Sequence, residues 1–339
     1  MDFVEQRLKN DPVARKILAM DAIATRELDT PARATVAITD CSPADALRGI
    51  GPVIRFLIKV ARPGFWLTSI WFYLLPLGQH HVFGTVAFWL GLFYVTFPLG
   101  MVIYGWNDVV DFETDRLNPR KDSFLFGARP TPEQIGRLPW RIAVVQIPFV
   151  LLLTYLLGWR ALAWFAALAA TTAIYNWPRI GCKGRSGFDL LNQAAYLLVF
   201  ILSSWINGLP QAPWFTFVFG ALFAMHSHLF GEIMDLEPDR AVGRRTTAVT
   251  VGARRSKAIM VAFLCFEALL VWRAAHDPWI AAFLFAGGLF FLMDDLFLWA
   301  ARPYAPWQMR LFFLGWNAAA LLSIPWVWRS ATLAAPQNS

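Results

Sequence analysis

Residues 100–115 read GMVIYGWNDVVDFETD, and the fold turns on how that stretch ends. An apolar run over 83–106 arrives without a break at Asn107, Asp108, Asp111 and Asp115. About 20 mostly apolar residues cross a hydrocarbon core of about 30 Å, so the run is expected to span a membrane. A carboxylate costs about 2.5–3.5 kcal/mol at the bilayer centre and less near an interface. The pattern recurs: residues 213–235 are a second apolar run that enters GEIMDLEPD, with Asp235 and Asp239 four residues apart. Asn107, Asp111 and Asp115 are spaced i, i+4, i+8 and share a helix face, with Asp108 three residues before Asp111.

Working outward, the same length rule gives nine expected spans, near 62–80, 83–106, 140–157, 160–177, 188–207, 213–235, 257–275, 278–300 and 309–328. The fold class expected is all-α integral membrane protein, nine transmembrane helices around a central cavity. Composition agrees: 57% of residues are hydrophobic and 16% charged, against about 25% charged in an ordinary soluble domain. Lipid-facing surface accounts for that excess. With the N-terminus inside, seventeen Lys and Arg fall in inner loops and three (Arg160, Arg273 and Arg329) outside. That bias supports an odd number of spans and accounts for the formal charge of +7 without nucleic acid as a partner. Four spans separate the two acidic stretches, an even number, so both sit at cytoplasmic helix ends of helices 2 and 6 and face one cavity. A bacterial inner membrane is the expected location.

The flanks carry less. Residues 1–48 are expected to be a cytosolic extension, partly disordered, and MDFVEQRLKNDPVARK holds no apolar core of a cleavable signal peptide. IGPVIRFLIKV (50–60) reads as a short interfacial helix with Arg55 and Lys59 on its polar face. The transmembrane domain is expected over 49–330, followed by a short tail, 331–339. Cys41, Cys182 and Cys265 are isolated, with no metal-ligand spacing.

Five gathered carboxylates repel one another and raise one another's pKa unless a cation intervenes. Mg²⁺ suits them: it prefers carboxylate oxygens, keeps several waters and completes its shell with substrate phosphates. The bland alternative is two solvated acidic loops. Helical spacing, facing positions and the basic loops that follow each cluster argue against it.

NDVVDFETD resembles the N-D-x-x-D-x-x-x-D signature of the UbiA superfamily of intramembrane prenyltransferases, and DLEPD resembles its second D-x-x-x-D motif. The resemblance continues through RPGFW at span one, LNPRKDSFLFGARP after the first motif and YNWPRIGCKGRSGFDLLNQ between spans four and five. It covers about residues 55–328. The long N-terminal extension and Pro238 inside the second motif are departures; Pro238 either ends span six or begins a new helix. The resemblance implies Mg²⁺-dependent ionisation of an isoprenyl diphosphate donor and transfer of the prenyl group to a lipophilic acceptor within membrane lipid. On that reading Asp108, Asp111 and Asp115 hold one Mg²⁺ and Asp235 and Asp239 another, with Asn107 beside them. Arg62, Lys121, Tyr175, Lys183 and Arg245 are the implied diphosphate ligands; Asn192, after the basic loop, either contacts an acceptor or metal-bound water or simply packs. ETDRLNPRK with DLEPDRAVGRRTTA resembles the carotenoid-elongating branch more than the hydroxybenzoate branch, sharing features with the chlorophyll and archaeal-lipid branches.

Other polar residues stay open. His226 and His228, at i, i+2, face different sides of a helix, which argues against a shared metal; each either binds or deprotonates an acceptor or simply packs. Asp294 and Asp295 in span eight are either acceptor-side or paired with Arg302. A cation- or proton-coupled transporter is the alternative from another class, but it predicts carboxylates near mid-membrane on broken helices. A phosphotransferase of the CDP-alcohol type would need a D-G-x-x-A-R start, which neither cluster has. A non-catalytic assembly factor is the third alternative.

Overall fold

The computed structural model describes residues 43–116, 118, 120–177 and 180–334, with backbone alone over 43–50. The expected N-terminal extension up to residue 42, and residues 335–339 of the tail, lie outside the described residues. The chain divides into two units at Ile50/Gly51. Of the first, residues 43–50 are described and form the opening turns of helix α1 (Pro43–Val60). The site is built within the second, 51–339.

After α1 come α2 (Trp66–Leu74), α3 (Val86–Val110), the one-turn α4 (Phe112–Asp115), α5 (Pro132–Leu157), α6 (Trp159–Asn176) and α7 (Phe188–Ile206). They are followed by α8 (Trp214–Met234), short α9 (Leu236–Ala241) and α10 (Thr247–Val251), then α11 (Ala253–Ala275), α12 (Pro278–Leu298) and α13 (Pro306–Ser330). No strand occurs among the described residues; two isolated bridges, Ser123 with Gly127 and Arg185 with Arg245, are the only sheet-like pairs there.

Helical segments occupy all nine expected stretches, yet seven of them, among the described residues, are long and apolar enough to cross a membrane. The first stretch is the shortest: α2 and the 3₁₀ turn after it end at Leu77, where Pro76 interrupts the ladder. The fourth, α6, is 18 residues, rich in Ala and opened by Arg160. The chain is an integral membrane protein, and the outward faces of these seven helices present Tyr155, Leu151, Phe297 and Leu322.

Local chemistry explains the long helices. Thr131 caps α5 through a reciprocal box with Gln134, ahead of Pro132 at the first helical position. In α3, Pro98 lacks an N–H; Gln146 on α5 donates to the Pro98 carbonyl at 2.7 Å and accepts from Tyr94 Oη at 3.1 Å. The aromatic core, including Phe72, Tyr73, Phe88, Tyr94, Phe200 and Phe219, fills the space between α2, α3, α7 and α8. Where α3 passes the end of α1, close approach depends on glycine. A Cβ on Gly100 would lie 2.6 Å from the Ala61 carbonyl oxygen.

Both acidic stretches break their helices in the same way. Asp111 (φ −94°, ψ 10°) separates α3 from α4, and Asp235 (φ −98°, ψ 9°) separates α8 from α9. In the second case the cause is Pro238. Its ring would clash with the carbonyl of Met234, four residues back, and α8 ends at Met234. Pro238 therefore becomes the third residue of α9, where its missing N–H leaves nothing unsatisfied. Thr114 stands where a corresponding proline would be in the first motif, so that break has a different origin, for which we have no physical account.

Candidate active site

α3 and α8 bring their terminal carboxylates to one cavity of about 570 Å³, lined at that end by Asn107, Asp111, Asp115, Asp235 and Asp239. Asn107, Asp111 and Asp115 do share a face. Asp108 does not line the cavity: one residue on from Asn107 it is turned about 100° around the helix and fully buried. There its Oδ1 accepts from Arg62 Nη2 at 2.7 Å and Lys121 Nζ at 2.8 Å, while Oδ2 has no hydrogen-bond partner. Asp108, expected as a direct metal ligand, is thus set back from the cavity wall. It holds two cations in place.

Each lining carboxylate also has a cation. Lys121 Nζ reaches Asp115 at 2.7 Å. Lys183 Nζ contacts Asp111 and Asn107 Oδ1, and Arg120 contacts Asp235, whose other oxygen accepts from Asn118 Nδ2 at 3.0 Å. Arg244 spans the two motifs, donating to Asp111 Oδ1 at 2.7 Å and Asp239 Oδ1 at 3.0 Å. Five carboxylates thus stand against five cations. Burial pushes Asp239 up to about 6, with Arg244 opposing, and burial with the charges of Asp108 and Asp111 raises Asp115. For Asp111, burial is outweighed by Lys183 and Arg244, which together hold it below the usual carboxylate range. Lys183 itself is lowered, burial leading.

Arg245, expected as a diphosphate ligand, is exposed and absent from the lining, whereas its neighbour Arg244 lines the cavity. The Arg185–Arg245 bridge makes this stretch locally extended, and consecutive side chains of an extended chain point to opposite sides. The loop carrying Arg244 is tied down behind the site. Asp189 accepts from the Thr247 N–H at 2.7 Å and its hydroxyl at 2.6 Å, and Glu232 Oε2 accepts from the Ala248 N–H at 3.0 Å. Lys183 is placed by a loop folded back on α6, through Cys182 N–H to the Ile174 carbonyl (2.9 Å) and Lys183 N–H to the Tyr175 carbonyl (3.0 Å). Arg62, at φ 49°, lies with its guanidinium 4.6 Å from the Tyr104 ring centroid, against Gly127 (φ 104°), where a Cβ would sit 2.9 Å from Arg62 Nε.

Tyr175 and Asn192 line the cavity, and Tyr175 Oη meets His228 Nε2 at 3.2 Å, beside Glu232 Oε1, also at 3.2 Å. Asn118, Arg120 and Arg244 were not singled out from sequence. All three lie in the basic stretches quoted for the resemblance, which carry several candidates each and no internal signal to choose between them. Asp294 pairs with Lys257 at 2.9 Å and accepts from Tyr304, while Asp295 pairs with Arg254 at 3.0 Å. The expected Arg302 partner is instead turned to the carbonyls of Leu298 and Trp299.

Among the described residues no three Asp, Glu, His or Cys side chains are gathered closely enough to hold a metal by themselves. The donor set nevertheless fits a hard divalent cation: carboxylate and amide oxygens line the wall at that end, and no cysteine is among the lining residues. Mg²⁺ needs only one or two carboxylates when waters and phosphate supply the rest.

Beyond the charged end, Leu99, Trp164, Leu168, Phe223, Phe291 and Trp316 line an apolar limb. Every Lys and Arg lining the cavity among the described residues lies at the carboxylate end.

The UbiA prenyltransferase family model matches residues 65–318. A lycopene elongase/hydratase of Corynebacterium glutamicum is 27% identical over 234 residues, 67% of this chain and 80% of that protein. One from Haloarcula japonica is 30% identical over 221 residues, 62% of this chain and 73% of its own. A digeranylgeranylglyceryl phosphate synthase of Natronomonas pharaonis is 26% identical over 227 residues, 56% of this chain and 78% of its own. A solved UbiA homolog from Archaeoglobus fulgidus, bound to DMAPP and Mg²⁺, has the same fold, with a TM-score of 0.58 at 18% identity over 80% of this chain and 99% of that one.

Proposed function

The chain belongs to the UbiA prenyltransferase family and is a prenyltransferase, and from that premise we propose that it transfers a prenyl group from its diphosphate to an acyclic carotenoid of the lycopene type, with Mg²⁺ as cofactor. The observation that carries the acceptor is the one-ended distribution of charge in the cavity. A glyceryl phosphate acceptor would bring a second phosphate that must compete for the cations already needed by the donor. A hydrocarbon polyene needs none. The names of the relatives from Corynebacterium glutamicum and Haloarcula japonica support the same choice. Family membership sets aside the transporter and the assembly factor.

Asp111 and Asp115 with Asn107 on one side, and Asp235 and Asp239 on the other, are the residues that would hold the metal. Bound there, Mg²⁺ would supply Lewis-acid neutralisation of the leaving group. Arg62, Lys121, Lys183 and Arg244 bind diphosphate oxygens, released from their carboxylates as the donor arrives; Arg offers paired donors and Lys a point charge. Asp108 keeps Arg62 and Lys121 aimed at the cavity. Tyr175 and Asn192 add neutral contacts along the walls. As the allylic C–O bond breaks, the fixed cations stabilise charge where it grows, on the diphosphate. The apolar limb keeps water from the carbocation, and its aromatic faces stabilise positive charge by up to about 2 kcal/mol each when dry. The bias of seventeen Lys and Arg against three supports nine crossings with this end of the cavity at the cytoplasmic face.

The test uses the purified protein in lipid nanodiscs with dimethylallyl or geranylgeranyl diphosphate, Mg²⁺, and either lycopene or a glyceryl-phosphate lipid. Metal-dependent diphosphate release with an elongated carotenoid is the expected result. Prenylation of the glyceryl lipid alone would overturn the acceptor assignment.

A further inference from the structure

One buried pair in the apolar limb is not used by donor binding. His226 lies on α8 nine residues before Asp235, roughly 13 Å along the axis from the end of the helix. It lines the cavity between Phe223, at 5.2 Å between ring centroids, and Trp316, at 6.0 Å. Its Nδ1 meets Glu267 Oε1 of α11 at 2.8 Å; Glu267 is fully buried and does not line the cavity. His226 Nε2, also buried, has no hydrogen-bond partner.

Burying an imidazole nitrogen and a carboxylate in an apolar wall is costly unless both are satisfied. Phe223 and Trp316 complete an apolar surface without them, so packing does not account for the pair. With Glu267 as acceptor, Nδ1 carries the proton, and Nε2 keeps an unpartnered lone pair beside Phe223 and Trp316. A carboxylate behind the ring both fixes this tautomer and stabilises the imidazolium that forms when Nε2 takes a proton.

Prenyl transfer to an alkene creates a need for such a base. The C–O bond of the donor breaks with its electron pair leaving on the diphosphate. The acceptor's terminal π pair then forms the new C–C bond, leaving a tertiary cation on the adjacent acceptor carbon. That cation must lose a proton from a neighbouring C–H, whose electron pair becomes the new C=C, or be captured by water as an alcohol.

We propose that His226 Nε2 is the base that accepts this proton from carbon, with Glu267 as its positioning residue, and that the pair commits the enzyme to an elongated alkene over an alcohol. The proposal rests on the alkene acceptor assigned above. Proton loss follows the irreversible C–C bond, so removing the base changes the partition between products and leaves ionisation nearly intact.

The experiment compares wild type, His226→Gln and Glu267→Gln with prenyl diphosphate, Mg²⁺ and lycopene, measuring released diphosphate and, by mass spectrometry, the alkene and the product heavier by one water. Gln at 226 can still donate to Glu267 but cannot take a proton. For His226→Gln, diphosphate release is expected to stay within about 3-fold of wild type while the alkene-to-alcohol ratio falls about 100-fold, the low end of what a positioned base contributes. Glu267→Gln is expected to shift the ratio in the same direction by a smaller factor. An unchanged ratio in both variants overturns the proposal, as does a wild-type product that is already the alcohol. A parallel fall in release and alkene at constant ratio would make the pair structural. No elongated carotenoid from wild type would overturn the acceptor assignment itself, and this proposal with it.

Discussion

Arg244 and Arg245 are neighbours of identical chemistry, and only one of them touches the site. Arg244 donates to Asp111 and Asp239, which come from different helices, while Arg245 is exposed. Arg244→Ala is therefore expected to lower kcat/KM for the prenyl diphosphate by about 30- to 150-fold, the loss of a buried charge-assisted contact worth about 2–3 kcal/mol. Arg245→Ala should stay within about 3-fold. Steady-state diphosphate release at varied donor concentration checks both, and equal losses would remove the distinction. The residue types of the site were legible from the i, i+4, i+8 spacing, because helical periodicity is written locally. The choice between two adjacent arginines was not, since a long-range bridge to Arg185 decides which faces inward. That Asp108 is set back from the cavity was not legible for a related reason. Its spacing to Asp111 is helical, but its burial depends on Arg62 and Lys121 arriving from elsewhere in the chain.

At the scale of elements, Pro238 sets the end of α8 and thereby the positions of Asp235 and Asp239. Pro238→Ala restores an N–H and removes the clash with the Met234 carbonyl, so α8 can run on through Asp235. The variant is expected to remain folded, with circular dichroism unchanged or slightly more helical, yet to lose about 10- to 100-fold in kcat. Displacements on the order of 1 Å carry that cost in a site of positioned charges. Unaltered kcat would separate the helix break from the chemistry. Helix packing gives a second expectation. Gly100→Ala places a methyl 2.6 Å from the Ala61 carbonyl, a backbone atom that cannot swing aside. It should destabilise the bundle by about 1–3 kcal/mol, read as a lower unfolding temperature in detergent. The long spans were legible because apolar length is a sequence property. The brevity of the first one was not, because nothing in its hydropathy separates regular helix from the turn after Leu74.

For the whole molecule, the decisive feature is that α3 and α8, far apart in the chain, close a site already balanced in charge. Asp108, Asp111, Asp115, Asp235 and Asp239 are paired with Arg62, Lys121, Lys183, Arg244 and Arg120. A divalent cation arriving alone must displace Lys183 or Arg244 and leave it unpaired in a buried wall, which is unfavourable. Diphosphate arriving alone strips the carboxylates of their cations and leaves them repelling one another. Arriving together, each ligand takes what the other releases. On the proposed reading, Mg²⁺ and diphosphate therefore bind with positive coupling, and linkage makes the effect reciprocal. Isothermal titration of Mg²⁺ with and without a non-ionisable thio-analogue of the donor should show the apparent Kd for Mg²⁺ falling about 10-fold or more. The affinity for the analogue should rise by the same factor when Mg²⁺ is present. In Asp111→Asn, where one carboxylate shared by Lys183 and Arg244 is neutral, the coupling should shrink and turnover should be lost while the protein still inserts and folds. Equal Mg²⁺ affinity with and without the analogue would mean that the cations leave their carboxylates without cost, and the balanced network would then be no part of how the donor is bound.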